Sequence, residues 1–227
     1  ACVDNIYDYS SRPERTQSLI LSKGHACLSL YSLIVKSKFI GIDQVVNTFE
    51  KDASAFLGHP CRNKEIGISF STGSLGNGLA HAAGKALFRL NNSSSQLKNL
   101  PVTCVVGDGE CNEGIVWETF EFISKNNINN LIIFIDCNGW QQTQKSIYSE
   151  DSYSSFEKRL NCYNFNTHVI DGHDHQKICE ALQSDLKKPK LIIGKTIKGK
   201  GYDLFENNND WHHGVITQPI FDELIKK

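Results

Sequence analysis

The sequence contains no methionine, only five prolines and almost no net charge, −1 over 227 residues. Each shortage excludes something. Without a methionine the chain does not start at a natural initiator, so upstream residues are expected to be trimmed or missing. The balance of 24 Lys and Arg against 25 Asp and Glu gives no reason to expect nucleic acid or an anionic membrane as a partner. No apolar run approaches the roughly 18–20 residues of a spanning helix. The N-terminus, Ala1-Cys2-Val3-Asp4-Asn5, lacks the basic and apolar regions of a signal peptide. The eight cysteines form no Cys-x-x-Cys pair, and several lie in apolar runs where a thiol behaves as a small hydrophobe. These absences point to a cytoplasmic protein with reduced thiols.

What is present fits one large α/β domain over residues 1–227, with 40% hydrophobic and 22% charged residues. The patterning predicts helices near Ala26–Ser37, Ile42–Lys51, Leu75–Leu90, Gly114–Lys125 and Gln176–Lys187. It predicts strands at Val102–Val106, Leu131–Asp136, His168–Asp171 and Leu191–Thr196. Strands alternating with helices imply a parallel sheet with helices on both faces.

Two of these strands end in chemistry. The run ending at Val106 passes into Gly107-Asp108-Gly109-Glu110, and the run ending at Ile135 passes into Asp136-Cys137-Asn138-Gly139-Trp140. Asp108 and Asn138 therefore fall just past the carboxyl ends of two strands, where open α/β sheets bind ligands. A carboxylate, an amide oxygen and a backbone carbonyl, here that of Trp140, are hard oxygen donors suited to Mg²⁺ on a diphosphate. The glycines beside Asp108 let backbone approach phosphate closely. Gly-Asp-Gly alone is a common turn; the asparagine at the second strand end is what makes the pair specific.

That pair resembles the thiamine diphosphate fingerprint. Further blocks narrow the resemblance: Leu21-Ser22-Lys23-Gly24-His25-Ala26, Gly58-His59-Pro60, Ser71-Thr72-Gly73-Ser74-Leu75-Gly76-Asn77-Gly78, and Glu206-Asn207-Asn208 with Trp211-His212. In this order they resemble transketolase from about Arg12 to the C-terminus, and most closely the N-terminal subunit of split, two-gene transketolases.

The resemblance implies thiamine diphosphate with Mg²⁺, for which Ca²⁺ or Mn²⁺ could substitute. Asp108, Asn138 and the Trp140 carbonyl would be the metal ligands, although the family usually has Leu or Ile where Trp140 stands. Gly73, Ser74 and Leu75 would meet the aminopyrimidine end of the cofactor. Gly107, Asp108, Gly109, Glu110, Asn138, Trp140 and His212 would surround its diphosphate. His25, His59 and His212 would be catalytic or contact the sugar, with His213 an alternative to His212. Glu113 would lie at the subunit contact and couple two sites, although an acid there also suits the first turn of a helix. The loop Lys195 to Lys200 would form a rim over the entrance, and Asp174 an N-cap. The activity implied is transfer of a two-carbon ketol unit from a ketose or its phosphate to an aldose. A separate C-terminal subunit would supply the pyrimidine-binding half, in an α2β2 assembly. A family histidine that precedes this region has no match here. The alternatives are a deoxyxylulose-phosphate synthase or keto-acid dehydrogenase component, and a non-catalytic subunit.

Overall fold

The computed structural model describes residues 18–37, 40–92, 100–142, 144–148, 153–212 and 214–226. Five parallel strands form its sheet: β1 (Leu19–Leu21), β2 (Val102–Gly107), β3 (Leu131–Cys137), β6 (Asn166–Asp171) and β7 (Lys190–Lys195), in the order β1-β2-β3-β7-β6. A small antiparallel ribbon, β4 (Trp140–Gln141) with β5 (Gln144–Lys145), follows β3. The helices are α1 (Cys27–Lys36), α2 (Ile42–Thr48), α3 (Asn77–Asn91), α4 (Gly114–Lys125), α5 (Tyr153–Leu160), α6 (His175–Gln183) and α7 (Gln218–Leu224).

The central strands are buried on both faces, which is why β3 and β7 read as unbroken Leu/Ile-rich runs rather than alternating ones. One face of the sheet, with Val102, Cys104, Val106, Ile133 and Ile135, packs on Leu79, Ala83 and Ala86 of α3 and Val116, Phe120 and Ile123 of α4. The intervening residues Ile132 and Ile192 point the other way, onto Ala181 and Leu182 of α6. Helices thus cover both faces, as the sequence predicts.

Local chemistry explains where the boundaries depart from expectation. Helix α3 starts at Asn77 rather than Leu75 because Gly76 takes a left-handed φ of 83° at the cap. Asp174 caps α6 by accepting from the amides of Gln176 and Lys177, and the helix ends early, at Gln183, with Ser184 as its C-cap. Strand β1 is three residues long, too short to carry a periodic signal, and helices α5 and α7 were not anticipated. Among the described cysteines, Cys27, Cys61, Cys104, Cys111, Cys137 and Cys162 are free thiols. Among the described residues, no helix is long and apolar enough to cross a membrane.

Because all five strands are parallel, their carboxyl ends share one edge of the sheet. Ser22 to His25, Asp108, Asn138, Gly172-His173 and Thr196 to Lys198 all emerge there.

Candidate active site

Beyond β2 the chain turns through a 3₁₀ helix, Gly109–Asn112, before entering α4. Asp108, at the turn, is fully buried. Its Oδ1 accepts from the amide of Gly109 at 2.9 Å and its Oδ2 from the amide of Gly139 at 3.0 Å, so the loops after β2 and β3 meet on one carboxylate. Burial pushes this carboxyl up to about 6, against the pull of those two amides, with Asp136 adding to the rise and Ser146 opposing it. Among the described residues, no cationic side chain pairs with Asp108. A desolvated carboxylate of this kind is what a hard divalent ion neutralises.

Asn138 Oδ1 accepts from the amide of Trp140 at 2.9 Å, folding the chain back toward Gly109. A Cβ at Gly109 would sit 2.9 Å from Gln141 Cβ and 3.7 Å from the Trp140 carbonyl oxygen, so only glycine lets the two loops close together. Asn112 Nδ2 donates to Gln141 Oε1 at 2.6 Å and locks them. No three His, Cys, Asp or Glu side chains converge as a closed metal site among the described residues. Carboxylate, amide oxygen and backbone carbonyl form instead an open set of hard donors, which fits Mg²⁺ completing its shell with phosphate oxygens.

The opposite wall is basic. Lys23 is buried at the end of β1, and its Nζ lies 2.5 Å from Asp136 Oδ2. Thr196 Oγ1 donates to the other oxygen of Asp136. Burial would raise the Asp136 carboxyl, but Lys23, Thr196 and His173 outweigh it and the net shift is downward. Lys198 Nζ donates to His212 Nδ1 at 2.9 Å, which fixes that nitrogen as an acceptor. Burial lowers the Lys198 pKa, and Lys23 lowers it further. His25 keeps one side open to solvent, yet desolvation of its ring by the atoms packed around it lowers its pKa to about 4, with Lys23, His212, Lys198 and His59 acting in the same sense. His59 lies against two glycines: a Cβ would approach its Cδ2 to 3.1 Å from Gly24 and to 3.7 Å from Gly73.

The structure therefore gathers His25, His59 and His212 on one wall and Asp108, Asn138 and Trp140 on the other. Gly107 and Gly109 flank the acid, while Gly73 and Ser74 stay exposed on their turn with Leu75 half-buried behind them. Glu110, expected among the diphosphate contacts, is turned inward instead. Its carboxylate accepts from Ser22 Oγ, from the amide of Gly76 at 2.7 Å and from the amide of Gly107 at 3.1 Å. Glu113 is exposed at the N-cap of α4 and makes no capping bond. His213 lies outside the described residues.

Reasoning from sequence missed Lys23, Asp136 and Thr196 as members of the site. Lys23 lies inside the block Leu21-Ser22-Lys23-Gly24-His25-Ala26, and Asp136 is an acid closing an apolar strand; that pairing of types is the signal the sequence offers.

The sequence matches the family described as transketolase, thiamine diphosphate binding domain, over residues 10–224. It is 33% identical over 210 residues to transketolase-like protein 2 of Mus musculus, covering 91% of this chain and 32% of that protein. Against transketolase of Homo sapiens the identity is 30% over 216 residues, covering 95% of this chain and 34% of that one. The 6-deoxy-6-sulfo-D-fructose transketolase subunit SqwG of Clostridium sp. (strain MSTE9) is 30% identical over 220 residues, covering 94% of this chain and 76% of the subunit. Among solved structures, transketolase from Campylobacter jejuni superposes with a TM-score of 0.77 at 30% identity, covering 96% of this chain and 34% of that one. The chain thus spans about a third of the length of the full transketolases it matches. A parallel sheet whose strand ends pair an acidic wall with a basic one, and a match along nearly the whole sequence, place this chain in the transketolase family as a thiamine diphosphate binding domain.

Proposed function

We propose that this chain holds the diphosphate and Mg²⁺ of a transketolase and works with a separate C-terminal subunit that supplies the pyrimidine-binding half. The observation that carries the reading is a pair of unlike walls: a buried Asp108, raised to about 6 with no ion pair among the described residues, within electrostatic reach of Lys198, which donates to His212. A divalent cation satisfies the first wall and a diphosphate the second. The separate partner is supported by SqwG, a relative named as a subunit, most of whose length this chain covers.

Bound thiamine diphosphate supplies the electron sink that lets the C2–C3 bond of a ketose break and a two-carbon unit pass to an aldose. The chain's own residues would do the following. Asp108, Asn138 and the Trp140 carbonyl would hold the metal, with Gly107 and Gly109 keeping side chains out of the phosphates' way. Gly73, Ser74 and Leu75 would line the aminopyrimidine end. His212, oriented by Lys198, would donate toward the diphosphate or substrate. His25, neutral at pH 7 because its pKa is near 4, can accept or donate at a sugar hydroxyl without adding charge. His59 would flank it. Glu113, exposed at the start of α4, would meet the partner subunit.

The test is ketol transfer by this chain, alone and mixed with a candidate C-terminal half, using a phosphorylated and a 6-sulfonated ketose as donors. Activity only in the mixture is the expected result. Activity of the chain alone would remove the partner. Consumption of pyruvate with release of CO₂ would move the chain to the keto-acid branch, and cofactor binding without turnover in any mixture would favour a non-catalytic subunit.

A further inference from the structure

The segment that carries Lys198 leaves the sheet at Lys195, and the turn after β6 holds it. Gly172 donates its amide to the Lys195 carbonyl at 2.7 Å. A Cβ on Gly172 would lie 2.5 Å from Thr196 Cγ2, so the two segments are in close contact. One residue further on, the Ile197 amide donates to Nε2 of His173 at 2.7 Å. From the β3 side, Cys137 accepts from the Thr196 amide at 3.1 Å. The ring of His173 is therefore one of the anchors on either side of the segment between β7 and Lys198. Its backbone is fixed in turn, because the His173 amide donates to Asp171 Oδ1 at 2.8 Å.

An imidazole that accepts at Nε2 is neutral and carries its proton on Nδ1. The protonated ring has a donor at each nitrogen and accepts nothing. We propose that His173 is a positioning residue: the neutral ring clamps the Ile197 amide, which sets Lys198 and through it His212, and protonation of His173 releases that wall. His173 acts electrostatically on Asp136 at the end of β3; Asp171 and Asp174 share its turn, and Lys195 and Lys198 flank Ile197 in the held segment. None of them restores an acceptor at Nε2.

The test begins on the apo chain and does not depend on the proposed function. Nitrogen-15 NMR should show His173 with a bare Nε2 and a protonated Nδ1, and the Ile197 amide should shift in step with His173 as the pH falls. In His173→Gln the side-chain oxygen stands near Nε2 and never titrates, so the Ile197 amide should keep its high-pH position throughout. In His173→Leu that amide should exchange with solvent faster at every pH. The second readout, binding of Mg²⁺ and thiamine diphosphate by calorimetry, rests on the proposed function. The wild type and His173→Gln should bind alike at pH 8. Where His173 is protonated, the wild type should bind roughly three- to tenfold more weakly than the variant, the worth of about one hydrogen bond. Acid loss at Asp108 is common to both and cancels. An Ile197 amide indifferent to His173, or identical pH profiles in the two proteins, would overturn the clamp. A clamp seen by NMR with no cofactor binding at any pH would overturn the proposed function and leave the clamp standing.

Discussion

On the acidic wall of the cleft, Asp108 is buried and gripped by the amides of Gly109 and Gly139. On the basic wall, His25 and His59 are exposed, and His212 leans on a lysine. The first wall is shaped by backbone, the second by side chains on three separate segments. Backbone donors keep a carboxylate in place before any ligand arrives, whereas the basic wall rests on side-chain contacts around the ammonium of Lys198. The acidic wall should thus be rigid and intolerant of substitution, and the basic wall graded and sensitive to salt and pH.

The largest effect should come from Glu110, which ties both walls to the body of the protein. Glu110→Ala leaves the Gly76 and Gly107 amides and the Ser22 hydroxyl without their acceptor in a buried place. At about 1–3 kcal/mol for each of the three unsatisfied groups, the loss should be about 3 kcal/mol or more in urea unfolding. A loss below about 1 kcal/mol would mean that the walls do not need this tie. Next, Asp108→Asn should weaken Mg²⁺-dependent binding of thiamine diphosphate by roughly a hundredfold or more. Its metal-free melting temperature at pH 7.5 should change little, because the removal of a desolvated charge is offset by the loss of one of the two oxygens that accept the Gly109 and Gly139 amides. A variant that binds normally would dismiss Asp108 as a ligand.

Smaller effects probe the basic wall. Lys198→Ala should weaken cofactor binding by roughly tenfold at low salt, with the gap closing as salt is added. A salt-independent gap would make the lysine's role steric. His25 should produce the mildest change, seen only on acidification. Its folded pKa near 4 lies below the ordinary 6.5, so over that window the unfolded chain takes a proton that the folded one refuses. Stability should therefore fall as the pH drops from 6.5 toward 4, and His25→Gln should flatten that part of a melting-temperature profile. Identical profiles for the two proteins would mean that the ring is freely solvated.

The two walls were also unequally visible in the sequence. Asp108 and Asn138 could be placed at strand ends because each follows an apolar run long enough to read, Val102–Val106 and Leu131–Ile135. His25 and His59 were legible only through motifs, and strand β1, which aims His25, is too short to show periodicity. Glu110 had the same local context as Asp108 two residues earlier, yet one turn of 3₁₀ helix points it into the core.

The parallel α/β architecture was legible in the sequence alone, as was the placing of Asp108 and Asn138 at the carboxyl ends of two strands, on one edge of the sheet. These are read from runs of residues whose burial and period depend on near neighbours. Tertiary structure alone decided the Lys23–Asp136 pair, the inward turn of Glu110, the seat of His59 against Gly24 and the grip of His173 on Ile197. Each joins segments that no local pattern relates, and they meet only because parallel strands distant in the chain bring their ends to one edge of the sheet.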